Sequence, residues 1–454
     1  MRRKLISVLL ATAMVASLLA GCGGKTEETA APEAAAETTE AAPAEAAEAE
    51  AAPAEEASAE EVTITYWGWD SNFYAPMFEE YSRLHPNVHF EPTATEWGDM
   101  LTKTQQALAS NSELPVMIPM DNALIENWKN MDILEDLTTY GLNPDDYSDV
   151  YVKKATTADG KVIGVFENVC PSGIAYKRDL AKQYFGTDDP EELYNIFSSY
   201  DSYVEKGKEV SGDAFLFHSG QAVAEWMYFA SEVPTQTDST INFTEKMTDV
   251  LANLVAIRDT GALDTYQNGT PEGNATYADD EHIFYPCPDW AITYYIKGND
   301  PEGSGNWGIM KAPVSYSHGG TALGITSASS DAQKKAAYEF ILWATSDAEG
   351  AAFMRDNAGY ITPYKTYLND AAFTKRGADE EFFGGEDIGA MYYQDIMANM
   401  AVTDSSPWEN EVISVRNDIT QQLMDDTSMT LDQAIANGLE ELGQLVTDDT
   451  ITIE

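Results

Sequence analysis

Cysteine is scarce: Cys22, Cys170 and Cys287 are the whole supply, and the histidines are only His85, His89, His218, His282 and His318. Neither set has the clustered spacing of a structural or catalytic zinc site. His85 and His89 lie four apart, but Pro86 between them prevents a helix from putting both on one face. No metal site and no cofactor are therefore expected. Basic side chains are also few, 26 against 76 acidic ones, for a formal net charge of −50. Nucleic acid and anionic membrane surfaces both need basic patches, so neither is an expected partner. The acidity serves solubility, or else a cationic ligand. Beyond the N-terminus no long apolar run exists, so the body does not span a bilayer, which takes about 20 apolar residues. Phosphate loops, nucleophile elbows and internal repeats are missing as well.

What is present begins with Arg2, Arg3 and Lys4 followed by an apolar run from Leu5 to Ala20, the layout of an export signal. The closing Leu19-Ala20-Gly21-Cys22 resembles the lipobox of bacterial lipoprotein precursors, in which the cysteine is lipidated and becomes the new N-terminus. Cys22 is thus the expected lipid anchor; the alternative is an uncleaved signal anchor with an incidental cysteine. From 22 to 61 Ala, Glu, Thr and Pro dominate, with almost nothing bulky to bury, which predicts an extended acidic tether. The expected location is the outer face of the cytoplasmic membrane, held there through lipid alone.

The body from Val62 is longer than one core usually serves, so two lobes are the default. "EVTITYWGW" alternates as a strand, "FYAPMFEEYSRLHP" has helical spacing, and "NVHFEPTATEW", "WGDMLTKTQQALASN" and "LPVMIPMDNA" continue strand, helix, strand. That rhythm predicts an α/β fold whose parallel-dominated sheets are flanked by helices. Ligands in such sheets gather at the carboxyl ends of strands, where Trp69, Asp70, Trp97, Asp121 and Asn122 fall. Further on, "FTEKMTDVLANLVAIRDTGAL" is a long amphipathic helix, and the chain closes with two helices.

The ordered set "ITYWGW", "NSELPVMIPM", "ADGKVIGVFENV", "CPDWAI", "GIMKAPVSYSHGGTALGI", "KKAAYEFILWATSDAEGAAF" and "GYITPY" resembles the extracellular solute-binding proteins of ABC importers, the branch that includes maltose- and oligosaccharide-binding proteins. The resemblance spans 62–446. It implies a two-lobed, periplasmic-binding-protein-like fold of type II, with hinge crossovers near 165–172, 312–319 and 365–377. One lobe would comprise 62–168 with 318–368, the other 169–317 with 369–454. Several positions carry over individually. Trp290 matches a tryptophan that stacks on a sugar ring, with Asp289 beside it; Trp408 matches a late tryptophan lining the same cleft. Trp226 is a weaker match. Asp121 and Asn122 follow the third strand, where Pro119 and Met120 stand in place of the aromatic of maltose binders. Gly319 and Gly320 suit close backbone approach.

A pyranose has an apolar C–H face and a rim of hydroxyls, so flat aromatics beside carboxylates or amides suit it. Core packing is the competing role for each tryptophan, and helix capping for Asp70 and Asp121. Cys170 and Cys287 flank the presumed cleft and could bridge in an exported setting. The leading expectation is a monomeric, non-catalytic lipoprotein that captures a carbohydrate, an oligosaccharide in particular, and passes it to the permease subunits of an ABC importer. An organic cation such as a polyamine is the alternative ligand. A glycoside hydrolase, which needs two carboxylates at one bond, is the remaining class.

Overall fold

The computed structural model describes residues 60–69, 74–400 and 403–454. In chain order its strands are β1 (Val62–Gly68), β2 (Val88–Ala94), β3 (Met117–Asp121), β4 (Val165–Phe166), β5 (Pro171–Lys177), β6 (Gln236–Thr237), β7 (Thr240–Ile241), β8 (Phe284–Pro288), β9 (Trp307–Met310), β10 (Tyr316–Ser317), β11 (Thr321–Ile325) and β12 (Thr452–Ile453). Among the helices of the first half are α1 (Ala75–Leu84), α2 (Met100–Ser110), α3 (Ile125–Lys129) and α4 (Asp149–Lys154).

Local sequence accounts for these elements. In β1 the residues Val62, Ile64 and Tyr66 point inward while Thr63, Thr65 and Trp67 stay half-exposed, the period of two that one buried sheet face imposes. α1 opens with Pro76 in its first turn, where a missing N–H costs nothing, and stops ahead of Pro86. α2 ends at Asn111, which takes the left-handed conformation at φ 53°.

The larger sheet has the order β2-β1-β3-β11-β4. β1 runs parallel to β2 and β3, and β11 returns antiparallel between β3 and β4. The second sheet is centred on β5, with β8 on one edge and β9 then β10 along the other. In the two larger sheets the expected parallel character thus describes β1, β2 and β3; β12 also runs parallel to β7 in a third, smaller sheet. All three neighbours of β5 are antiparallel to it, because each enters from the opposite end of that strand. Parallel pairing beside this sheet is reduced to the bridges Phe215–His282 and Phe217–Leu263. A small third sheet joins β6, β7 and β12.

The chain leaves the first sheet after β4 and joins the second at β5; it returns between β10 and β11. The two passages lie side by side. Glu167 N donates to Thr321 O at 2.9 Å, Asn168 Oδ1 accepts from Thr321 N at 2.9 Å, and His318 N reaches Cys170 O at 3.2 Å.

Three apolar clusters form the core. One lies on the first sheet around Ile64, Phe78, Phe340 and Ile341. Another joins the second sheet to the helices Gly220–Phe229, Phe243–Arg258 and Glu409–Asp425 through Trp226, Leu251, Leu254 and Ile419. The third runs from Ile118, Met120 and Phe166 to Tyr285, Trp307 and Tyr392, and so ties the two sheets together. Each fully buried aliphatic or aromatic side chain of this kind stabilises the fold by about 1.5–3 kcal/mol. Among the described residues no helix is long and apolar enough to cross a membrane.

Candidate functional site

Two cavities lie against the returning passage at Ser317 and His318, with Phe229 and His318 stacked between them at 4.3 Å. The first, a narrow space of about 20 Å³, has walls of Trp226, Tyr277, Trp290, Tyr295 and Tyr316. Its polar groups are His218, Glu225, Asn268 and His318. The second, of about 30 Å³, is polar and takes in Asn122, Lys246, Asp404, Ser405 and Glu409.

The aromatic cavity is assembled by short local rules. Ser219 caps the helix Gly220–Phe229 by accepting from Ala222 N, and Ala222, Glu225 and Trp226 then face the cavity at spacings of three and four. Trp290 lies two residues past the end of β8, and its indole Nε1 donates to the carbonyl of His318 at 2.9 Å. Tyr295 lies 5.6 Å from that indole, centroid to centroid, on the helical stretch Ile292–Lys297. Gly319 and Gly320 have φ of +100° and +101°, a region open to glycine. A Cβ at Gly319 would lie 2.7 Å from Trp290 Nε1.

Charge in this cavity is balanced. The Glu225 carboxylate accepts from Arg416 at 3.2 Å, and His318 Nε2 stands 3.9 Å away. Burial lowers the basicity of His318. His218 is lowered to about 4, first by burial and then by the nearby His282. His282 itself lies between two carboxylates, Asp279 at 2.7 Å and Asp264 at 3.2 Å. Burial opposes its charge, but those bonds leave its pKa raised.

The polar cavity is closed by the segment 403–409, which is bonded on both sides. Lys154 donates to Thr403 O at 2.9 Å, Lys153 pairs with Asp404 at 2.8 Å, and Ser405 Oγ donates to Asn122 O at 3.1 Å. Opposite these, Tyr228 OH donates to Glu409 Oε1 at 2.6 Å and Ser406 Oγ bonds Gln236 Oε1 at 2.7 Å. Burial pushes both Lys154 and Lys246 down to about 8.

The residues singled out in the sequence are distributed unevenly. Trp226 and Trp290 share the aromatic cavity, and Asn122 lines the polar one. Asn122 N donates to Gly320 O at 2.8 Å. Trp69 and Trp97 are half-buried against the middle apolar cluster, on whose edge Trp290 also packs. Asp121 accepts from Ala123 N at 2.8 Å and from the Trp97 indole, so its carboxylate acts as a cap; burial pushes it up to about 6. Asp70 and Cys22 lie outside the described residues.

One expectation needs correction, and one open possibility is closed. Asp289, expected beside the ligand, is buried: Tyr393 OH donates to its Oδ2 at 2.5 Å and the Cys170 thiol bonds it too. Adjacent residues leaving a strand face opposite ways, so Asp289 turns inward where Trp290 turns to the cavity. The possible bridge between Cys170 and Cys287 is not formed; both thiols are free and buried. Cys287 stands opposite Gly173 in the sheet, which puts it three residues along from Cys170. Three extended residues span about 10 Å, beyond the ~7 Å reach of a disulfide between Cα atoms. Trp408, for its part, packs on the second core cluster and borders neither cavity, while its neighbour Glu409 does. His218, Glu225, Tyr277, Tyr295, Tyr316 and His318 were not anticipated. The helical spacing of Ala222, Glu225 and Trp226 and the alternation of Tyr316 with His318 are the signals that could have found some of them.

A family model for bacterial extracellular solute-binding proteins matches residues 76–381. No curated protein matches the chain. Among solved structures, an extracellular solute-binding protein of family 1 is 20% identical with a TM-score of 0.71, over 84% of this chain and 99% of that one. An ABC transporter associated binding protein from B. animalis subsp. lactis Bl-04, in complex with β-1,6-galactobiose, is 16% identical with a TM-score of 0.70, over 86% and 99%. The galacto-N-biose-/lacto-N-biose I-binding protein from Bifidobacterium longum, in complex with lacto-N-biose, is 16% identical with a TM-score of 0.69, over 87% and 99%. At these identities the likeness establishes the two-lobed solute-binding fold.

Proposed function

The chain belongs to the bacterial extracellular solute-binding proteins, and from that premise we propose that it captures a carbohydrate, an oligosaccharide of a few units, and delivers it unchanged to an ABC permease. The observation that carries this reading is the aromatic cavity, where the Trp290 indole is held by a backbone hydrogen bond among Tyr277, Tyr295 and Tyr316. Such surfaces suit the C–H face of a pyranose, and Glu225, Asn268 and His218 suit its hydroxyls. The complexes of its fold relatives with β-1,6-galactobiose and lacto-N-biose support the same ligand class.

The competing ligand loses its anchor. An organic cation needs a free carboxylate, and the one carboxylate lining the aromatic cavity, Glu225, is engaged by Arg416. For the same reason a two-carboxylate hydrolase finds no partner acid in that cavity.

In this reading 62–168 with 318–368 form one lobe and 169–317 with 369–454 the other, closing on the sugar as a monomer. Export leaves Cys22 as the lipid-bearing N-terminus at the outer face of the cytoplasmic membrane, with 22–61 as the tether. Labelling cells with an alkynyl fatty acid is expected to mark the protein, and Cys22→Ala to abolish the mark; label persisting in that variant would refute the anchor.

The ligand class is tested by thermal unfolding of the full chain with a panel of oligosaccharides and diamines. A ligand at a hundredfold over its Kd adds about 2.7 kcal/mol. A stabilising oligosaccharide whose effect vanishes in Trp290→Ala supports the reading. Stabilisation by diamines alone overturns it.

A further inference from the structure

Buried polar atoms on the walls of the aromatic cavity are short of hydrogen-bond partners within the protein: Trp226 Nε1 has none, and His218 has at most the Asn268 side chain for one of its two ring nitrogens. Trp226 is 0% exposed and His218 1% exposed. Folded chains seldom leave such groups unpaired, because a buried donor or acceptor without a partner forfeits its hydration.

The surroundings explain why the protein itself cannot serve them. Trp226 is ringed by Tyr200, Tyr203 and Phe217, with centroids 5.4–5.8 Å away. His218 stacks on Tyr285 at 5.1 Å and meets Tyr277 at 5.8 Å. His282 is 6.5 Å from it, but both nitrogens of His282 are taken by Asp279 and Asp264. The Asn268 side chain offers His218 one hydrogen bond, which leaves its other ring nitrogen unserved, and Asn268 lines the same cavity.

The carboxylates behind the wall are already paired. Lys177 and His282 face Asp279 and Asp264, and Arg416 faces Glu225. A charged substituent entering here would shed water and find no free counter-charge, which is costly. A hydroxyl would lose nothing, since an indole N–H donates and a neutral imidazole both donates and accepts.

Resting on the carbohydrate reading, we propose that Trp226 and His218 are the specificity-determining hydrogen-bonding residues of the aromatic cavity and that they select neutral sugars over uronic acids and amino sugars. Trp226 Nε1 donates to one sugar oxygen. The imidazole nitrogen that Asn268 leaves unserved bonds a second sugar oxygen. Trp290 and the tyrosines supply the apolar contact.

The test is titration calorimetry on the full chain. Neutral di- to tetrasaccharides, including β-1,6-galactobiose, lacto-N-biose, maltose and maltotriose, are compared with their uronic-acid and amino-sugar analogues. For the tightest neutral ligand, Trp226→Phe and His218→Phe are each expected to weaken binding tenfold or more. A monodeoxy form of that ligand should lose a similar factor against the wild type and nothing further against the matching variant, an outcome that a merely structural role would not give. His218→Gln serves as the second variant should a phenylalanine variant fail to fold.

Variants that bind within twofold of the wild type, while Trp290→Ala abolishes binding, overturn the inference and leave the carbohydrate reading standing. Tighter binding of an acidic or amino sugar overturns the neutral preference. Failure of every saccharide to bind the wild type sinks both together.

Discussion

Trp290 Nε1 donates to the carbonyl of His318 at 2.9 Å, and a Cβ added at the next residue, Gly319, would stand 2.7 Å from that same nitrogen. The plane of the indole is therefore set by a turn at φ +100°. Gly319→Ala is expected to destabilise the protein by about 1–2 kcal/mol through left-handed strain. It should also tilt the indole and weaken sugar binding at least tenfold. Urea unfolding and calorimetry read the two effects; unchanged affinity would show that the turn does not orient the ring.

Acid should destabilise the protein through His218. Its folded pKa is lowered to about 4, below the ordinary value of about 6.5. Between those values the unfolded chain binds the extra proton, so the stability present above pH ~6.5 drains away as pH falls, by roughly 3 kcal/mol at pH 4. His282 has the opposite sign: its raised pKa gives a contribution that is full below about 6.5 and lost as pH rises through its folded value. His218→Gln should flatten the decline in urea midpoint between pH 7 and 4.5. Superimposable profiles of wild type and variant would contradict this.

Glu225 and Arg416 should behave as a unit. The Arg416 side chain is 1% exposed, and it also donates to the carboxamide oxygen of Asn417 at 2.9 Å. Glu225→Ala strands a buried guanidinium and is expected to cost roughly 3 kcal/mol, whereas Glu225→Ala with Arg416→Met should recover much of that loss. A double variant as unstable as the sum of the singles would argue against the coupling.

How much of this was legible depends on the distance between partners. β1, α1 and α2 were readable because alternation, helical spacing and Pro86 act within a few residues. Trp290 stood out by its motif, but Asp289 was misjudged because its inward turn depends on Tyr393, more than a hundred residues away in the chain. His218, Tyr277 and Tyr316 come from three separate segments, and no local pattern announces that they meet. Trp408 and Glu409 illustrate the remaining gap: a tryptophan draws the eye, yet its bulk goes to the core and the smaller carboxylate reaches the cavity.

Reactivity of the two body cysteines offers a last check, because exposure and ionisation both oppose it. Burial pushes the Cys287 thiol up to about 12, and Cys170 is raised by burial and by Asp289 beside it. A thiol reagent needs the thiolate, so neither residue should react in the native protein at pH 8. Denaturation without reductant should release both at once, since Cys287 faces Gly173 and stands out of bridging reach of Cys170. With Cys22→Ala as the background, two thiols are therefore expected per unfolded chain and none per folded chain. Zero thiols after denaturation would mean that the strand register permits a bridge, and that β5 and β8 are offset differently along their shared edge.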